Sequence, residues 1–322
     1  MDKGIFCISL DFEKYWGIHD ITDWQSKETE LSKVRDVVYQ LLEVFESNRI
    51  HATWAFVGLL AHPNFQDILD QELKAIPYKN KEYSPFPLEV DKFKGIPKDI
   101  CCALEELKKI KATRFQELAS HTFSHLYCLE EGITKEVFEA DLRKMRTIEK
   151  LLGIEMTSIV FPRNQINPEF IEMCQAKDYT AFRGNQRSAV WSNSTFQTES
   201  IFRKGKRLVD AYYPIVKTTG YTLNDIRAKK KIINIPASRF LRPISTKWGF
   251  EDQKMKRIKD EMTKAAKLKQ IYHLWWHPHN FTQNTDLHFE QLDTLFEHFH
   301  ELNKTYGFVS LNMQEIAEHA RS

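Results

Sequence analysis

Apolar runs of strand length alternate with amphipathic stretches along most of this chain, and that alternation restricts the fold more than any other feature. Residues 5–10 and 51–57 read as buried strands. Between them, residues 26–45 place Leu31, Val34, Val38, Leu41, Leu42 and Phe45 at the spacing of one helix face. Further strands are predicted at 115–119, 157–161, 179–182, 231–235, 271–275 and 308–311. Helices are predicted at 98–109, 134–152, 168–176, 250–268, 286–302 and 313–320. Such alternation over 322 residues implies a parallel sheet with helical crossovers, the α/β class. A barrel is favoured over an open sheet, because no Gly-x-Gly-x-x-Gly follows the first strand and no Gly-Lys-Ser/Thr loop occurs. No repeat or linker divides the chain, so one domain is expected over residues 1–322. Residues 61–97, rich in Pro, Lys and aromatics, read as a loop or cap, whereas 184–230 show only weak periodicity.

Bulk properties remove several classes. A formal net charge of +2 argues against general binding to nucleic acid or a membrane surface. With 42% hydrophobic and 28% charged residues, a packed core is expected. Five cysteines without a Cys-x-x-Cys pair fit reduced thiols. The apolar run before Asp11 is too short for a secretory signal, and no run reaches the roughly 18–20 residues of a membrane span. Residence in the cytoplasm is the expectation.

Barrel folds keep their chemistry just beyond the carboxyl ends of strands. Four such places carry reactive residues. Asp11-Phe12-Glu13 puts two carboxylates on one side of an extended backbone. His121 and His125 are spaced i, i+4, sharing a face if the segment is helical, and two such nitrogens suit a divalent ion. In Pro162-Arg163-Asn164-Gln165, the guanidinium could orient a carboxylate. Trp275-Trp276-His277-Pro278-His279 offers an imidazole walled by indoles, suited to proton transfer beside a sugar ring. Taken singly, each also fits solvated turns, packing histidines or an aromatic core.

In combination, the order of these segments resembles the polysaccharide deacetylase family, the NodB-homology domain of carbohydrate esterase family 4. His51-Ala52-Thr53-Trp54-Ala55-Phe56-Val57-Gly58 is similar to that family's second-strand Ala-Thr-Phe-Phe-Val-x-Gly. The resemblance implies a single distorted (β/α) barrel of about seven strands. It further implies Asp11 as general base, Glu13, His121 and His125 as ligands of one divalent metal with zinc the expected ion, Arg163 orienting Asp11, and His277 as general acid. Three departures mark this chain: Asp-Phe-Glu replaces adjacent aspartates, Phe-Pro-Arg-Asn-Gln replaces Arg-Pro-Pro-Tyr-Gly, and the late motif aligns with either His277 or His279, of which His277 comes first after its strand. The implied activity is removal of an N-acetyl or other N-acyl group from an amino sugar, with a nucleotide- or lipid-linked precursor of a surface polysaccharide as substrate. Trp275, Trp276, Trp54 and Asn164 are candidate substrate contacts, with Trp16 and Trp191 as further stacking faces. Lys229, Lys230, Lys231, Arg239 and Arg242 are candidates for meeting a phosphate. The rival readings are a metal-independent amidohydrolase of the allantoinase type, a two-carboxylate glycosidase and a non-catalytic glycan-binding barrel.

Overall fold

A computed structural model describes residues 3–69, 74–86, 93–191, 195, 201–212, 220–228, 231–245 and 249–322. Its strands are β1 (Ile5–Phe12), β2 (Ala52–Phe56), β3 (Gln116–Ser120), β4 (Ser158–Ile159), β5 (Ala181–Gly184), β6 (Ile233–Pro236), β7 (Arg239–Phe240), β8 (Ile271–Trp276) and β9 (Val309–Ser310). They form one sheet in the order β6-β5-β4-β3-β2-β1-β8-β7, with β9 paired to the start of β1. Every pairing between these strands is parallel.

The sheet closes through the chain itself. β6 bonds to β5, and the same extended segment then turns its amides the other way: Ala237 N donates to Gly184 O, and Ser238 N to His273 O. β6 and β7 are thus one stave with both edges satisfied. The ring of β1 to β5, this joined stave and β8 is the distorted seven-stave barrel expected of the sequence.

Strand alternation divides the side chains into two populations. Along β1, Phe6, Ile8, Leu10 and Phe12 pack outward under the helices, whereas Ile5 and Cys7 join the barrel interior. Both faces of β1 are buried, as a parallel strand requires. The interior also takes Ala55, Ala119, Ala181, Ile233, Ile235 and Ile271. Its amino-terminal mouth is stoppered by the helix Met313–Arg321, which contributes Met313, Ile316, Ala317 and Ala320. A capping box between Asn312 and Glu315 starts that helix, and its Gln314 N–H donates to the buried Glu117 carboxylate at 3.1 Å. Solvent access to the interior is thereby left to the carboxyl end.

Several expectations are refined. The helix expected over 26–45 is interrupted, with Glu28–Leu31 followed by Val34–Ser47. The illegible region contains a helix, Ile201–Tyr212. Within the expected cap, the short helix Phe65–Leu69 is formed, and residues 70–73 and 87–92 lie outside the described residues. Trp54 and Trp276 are not substrate contacts. Both have 0% exposure, because strand alternation turns them outward against Phe45 at ring distances of 6.1 and 6.2 Å. Trp16 is equally buried, its indole N–H donating to Cys101 O at 2.7 Å. No helix among the described residues is long and apolar enough to cross a membrane.

Trp54→Ala should accordingly lower unfolding free energy by about 3–5 kcal/mol, as removal of a fully buried aromatic does. Urea unfolding measures this, and a change below about 1 kcal/mol would contradict the outward core packing of Trp54.

Candidate metal centre and acid–base cleft

At the open mouth, β1 ends by delivering Asp11 to the barrel axis and Glu13 to the turn that follows. Lys14 fixes that turn. Its backbone has φ +45°, and its buried ammonium is bonded to Glu106 at 2.8 Å and to the carbonyls of Cys102 and Asp99. Gly17 passes so close to Glu13 that an added Cβ would lie 2.1 Å from its carboxyl carbon. A side chain at position 17 would therefore displace the carboxylate.

The two histidines come from the turn after β3. The sequence suggested a shared helical face, but no helix forms there. Thr122 (φ +60°) and His125 (φ +56°) adopt left-handed backbone, and the resulting turn brings the imidazole centroids to 5.1 Å. Asp141, from the helix Lys135–Leu152, holds this conformation. Its carboxylate accepts from Phe123 N–H at 2.7 Å, Ser124 N–H at 3.0 Å and the Ser124 hydroxyl. Thr122 Oγ1 accepts from Leu126 N–H, while Gly58 and Leu59 N–H donate to the carbonyls of Thr122 and Phe123. Asp141 escaped the sequence reading because its only signal is an acid among the inward positions of an amphipathic helix.

His121 Nδ1 lies 2.8 Å from Val160 O, so Nδ1–H donates and the Nε2 lone pair faces Glu13. The Nε2 atoms of His121 and His125 stand 3.4 and 3.0 Å from Glu13 Oε2. Neither contact has hydrogen-bond geometry, and both Nε2 atoms are buried without a hydrogen-bond partner. One ligand atom from each of Glu13, His121 and His125 falls within 4.8 Å of the others. Burial opposes the charge on Glu13, yet His277, His125 and His121 together hold its carboxyl well below the usual range. Two imidazole nitrogens and one carboxylate, enclosed and convergent, fit a divalent ion with further coordination positions open.

Asp11 has a different partner from the one expected. Arg183, from β5, clamps it with two bonds, Nη1 to Oδ1 at 2.6 Å and Nη2 to Oδ2 at 2.7 Å. The same guanidinium bonds Ser9 Oγ and Asn164 Oδ1, and lies 4.2 Å above the Trp275 ring. Burial alone would raise the Asp11 pKa, but the charge of Arg183 outweighs it and the net shift is downward. Arg163, with φ +53° in the turn after β4, lines the same cleft but pairs with Asp20 at 2.8 and 2.9 Å over the Tyr127 ring. Arg183 directly follows the predicted strand 179–182, so a strand-end signal is present, but the family resemblance directs the orienting role to the arginine of the 162–165 segment instead.

A cleft of about 450 Å³ opens over these groups, lined among others by Asp11, Glu13, His125, Asn164, Trp275 and His277. His277 is partly exposed in it, with Nε2 3.5 Å from Glu13 Oε1 and 3.9 Å from Asp11 Oδ2. His279 stacks on His277 at 4.9 Å. Its pKa is pushed down to about 4 by burial, with His277 adding to the shift. Of the candidate substrate contacts, Trp275 and Asn164 therefore reach the cleft. Among the charges suggested for a phosphate, Arg239 is paired with Glu261 and Asp210, Lys231 is exposed, and Arg242 lines the cleft. Lys229 and Lys230 lie outside the described residues.

The family model "Polysaccharide deacetylase" matches residues 28–182. No curated protein matches the sequence. A solved structure assigned to a polysaccharide deacetylase of Mycobacterium smegmatis aligns with TM-score 0.60 at 13% identity, covering 99% of this chain and 91% of that one. Another so assigned, from Pseudomonas aeruginosa PAO1, aligns at 0.57 and 12%, covering 99% and 91%. Puue allantoinase aligns at 0.56 and 12%, covering 98% and 89%. The resemblance to polysaccharide deacetylases is thus found in the sequence, and the fold is shared with structures assigned to them.

Two outcomes are expected of the Asp11 clamp. Arg183→Gln should destabilise the fold by about 3–5 kcal/mol, since it strands a buried charge, while Arg163→Gln leaves the Asp11 clamp intact and should not show that loss. Because the folded-state pKa of Asp11 is depressed, its stabilising contribution is complete above the ordinary aspartate value of about 3.9 and is lost as pH falls through the lower folded value. Denaturant midpoints from pH 6 to 2 should show this loss in the wild type and a smaller one in Asp11→Asn; identical profiles would refute the clamp's part in acid stability.

Proposed function

We propose that this chain is a metal-dependent hydrolase that removes the N-acetyl, or another N-acyl, group from an amino sugar. The observation that carries the proposal is the convergence of Glu13, His121 and His125, with two buried unpartnered Nε2 atoms, beside an arginine-clamped carboxylate and a partly exposed imidazole. The family resemblance supports a carbohydrate deacetylase, and its residues 28–182 include the histidine pair. Under this reading residues 1–322 act as one catalytic domain, with 61–97 forming a cap. The substrate is a nucleotide- or lipid-linked precursor of a surface polysaccharide, processed in the cytoplasm.

Glu13, His121 and His125 would hold the ion, with zinc the expected species. When bound there, a divalent ion would supply a water of lowered pKa and would polarise the acyl oxygen. Asp11, kept ionised and aligned by Arg183, accepts the proton of the attacking water. Such a stabilised carboxylate is a weak base, and it suits a water that is already acidic. His277 reaches the cleft from the carboxyl end of the neighbouring strand β8 and donates a proton to the nitrogen as the carbon–nitrogen bond breaks, since an amide anion is a very poor leaving group. Water and amide are consumed, and a carboxylate and a free amine are released. Trp275 and Phe240, their rings 4.6 Å apart at the cleft wall, offer apolar faces to the sugar.

Elemental analysis of protein purified without chelator should find about one divalent ion per chain in the wild type and little in His125→Ala. No ion in either sample, with none retained after adding Zn²⁺, Co²⁺, Ni²⁺ or Mn²⁺, would end the metallohydrolase reading. His277→Ala should keep the metal and lose about 10²–10⁴-fold in turnover of an N-acylated sugar. Unimpaired turnover would assign proton donation to another group.

A further inference from the structure

One wall of the cleft carries a cation that the proposed reaction leaves unused. Arg242 lines the cleft together with Asp11, Glu13, Trp275 and His277, and is half-buried. Its guanidinium has no hydrogen bond or ion pair among the described residues, whereas the neighbouring cations are satisfied. Arg239 is paired with Glu261 and Asp210, Arg257 with the same two acids, and Lys254 with Glu251. The carboxylates on this side are therefore already engaged. Lys254 Nζ also donates to the Arg242 carbonyl at 3.0 Å, and Pro243 follows, so the backbone beneath the guanidinium is held.

The electrostatic setting has the same sign. Burial lowers the Arg242 pKa; Tyr212 opposes this, and the like charge of Arg207 adds to it. An arginine remains charged under such a shift, so the site keeps a partly desolvated cation with no anion to compensate it among the described residues. Space for a larger ligand adjoins it. A side pocket of about 170 Å³ shares Pro243, His279 and Asn280 with the main cleft and adds Ile244, Gln283, His288 and Glu30, whose carboxylate is paired with Lys27 and accepts from Gln283.

We propose that Arg242 is the anion subsite of this cleft, receiving the phosphate or carboxylate of an acidic N-acylated amino sugar. This rests on the sugar-binding part of the function proposed above and narrows its substrate class. A guanidinium presents paired N–H donors that match either oxyanion, and a charge-assisted bond in a partly dry site discriminates strongly against a neutral ligand.

The test is calorimetric binding of three probes, N-acetylglucosamine, N-acetylglucosamine 1-phosphate and an N-acetylhexosaminuronic acid, to the metal-loaded wild type, Arg242→Gln and Arg242→Lys. The wild type should bind at least one acidic probe about tenfold or more tighter than the neutral sugar. Arg242→Gln should abolish that preference, and Arg242→Lys should retain part of it. The larger of the two acidic preferences names phosphate or carboxylate as the natural group. Equal affinity for all three probes, no binding of any, or a preference that survives Arg242→Gln would overturn the subsite. Acyl release is assayed on the same samples. Its absence alongside an Arg242-dependent preference would sink the hydrolase reading while leaving the subsite in place.

Discussion

Two carboxylates shut away from water at the mouth of a closed barrel set the terms for the structure around them. Asp11 and Glu13 are 3% and 5% exposed, and a buried negative charge is tolerated only where positive partners are held close. Asp11 meets that demand with Arg183, which reaches inward from β5 and is itself fixed by Ser9, Asn164 and the Trp275 face. Among the described residues, the positive partners of Glu13 are imidazoles. A carboxylate whose nearest partners are two nitrogens without hydrogen-bonding partners is incomplete as a protein-only arrangement, and a divalent cation would complete it.

Holding those imidazoles requires backbone that most residues avoid. Left-handed conformation at Thr122 and His125 is unfavourable by roughly 1–2 kcal/mol each. The three donors that converge on Asp141, the Thr122 cap on Leu126 N–H and the amides of Gly58 and Leu59 offset that cost. The close approach at Gly58 depends on a missing side chain, since an added Cβ would stand 2.6 Å from the Phe123 ring. The similarity of the segment ending at Gly58 to a second-strand motif thus has a mechanical reason: that glycine docks the turn bearing His121 and His125.

Much of the site was legible because polar residues directly after buried strands have few structural reasons to be there. Asp11, Glu13, His121, His125 and His277 are singled out in this way, and the fold brings Asp11, Glu13, His125 and His277 to one cleft with His121 beside Glu13. Arg163 takes the orienting role in the sequence because it stands in the segment that resembles the family's third motif, whereas Arg183 lies outside every segment of that resemblance. Linear order does not say which of two arginines 20 positions apart lies across the barrel axis from Asp11. The tryptophans divide for a similar reason. Trp275 and Trp276 are adjacent in sequence and opposite in space, so one lines the cleft and the other stacks at 5.7 Å on Phe281 in the outer core.

By itself the sequence determined the alternating architecture, the strand ends that carry the chemistry and the donor types gathered there, because these follow from periodicity and from the intrinsic chemistry of side chains. Tertiary structure alone decided that residues 233–240 close the ring, that Arg183 clamps Asp11, that Asp141 braces the histidine turn and that Arg242 faces the cleft unpaired among the described residues. Each of these depends on which residues meet across the barrel, and contacts between distant positions are set by packing, which local pattern does not encode.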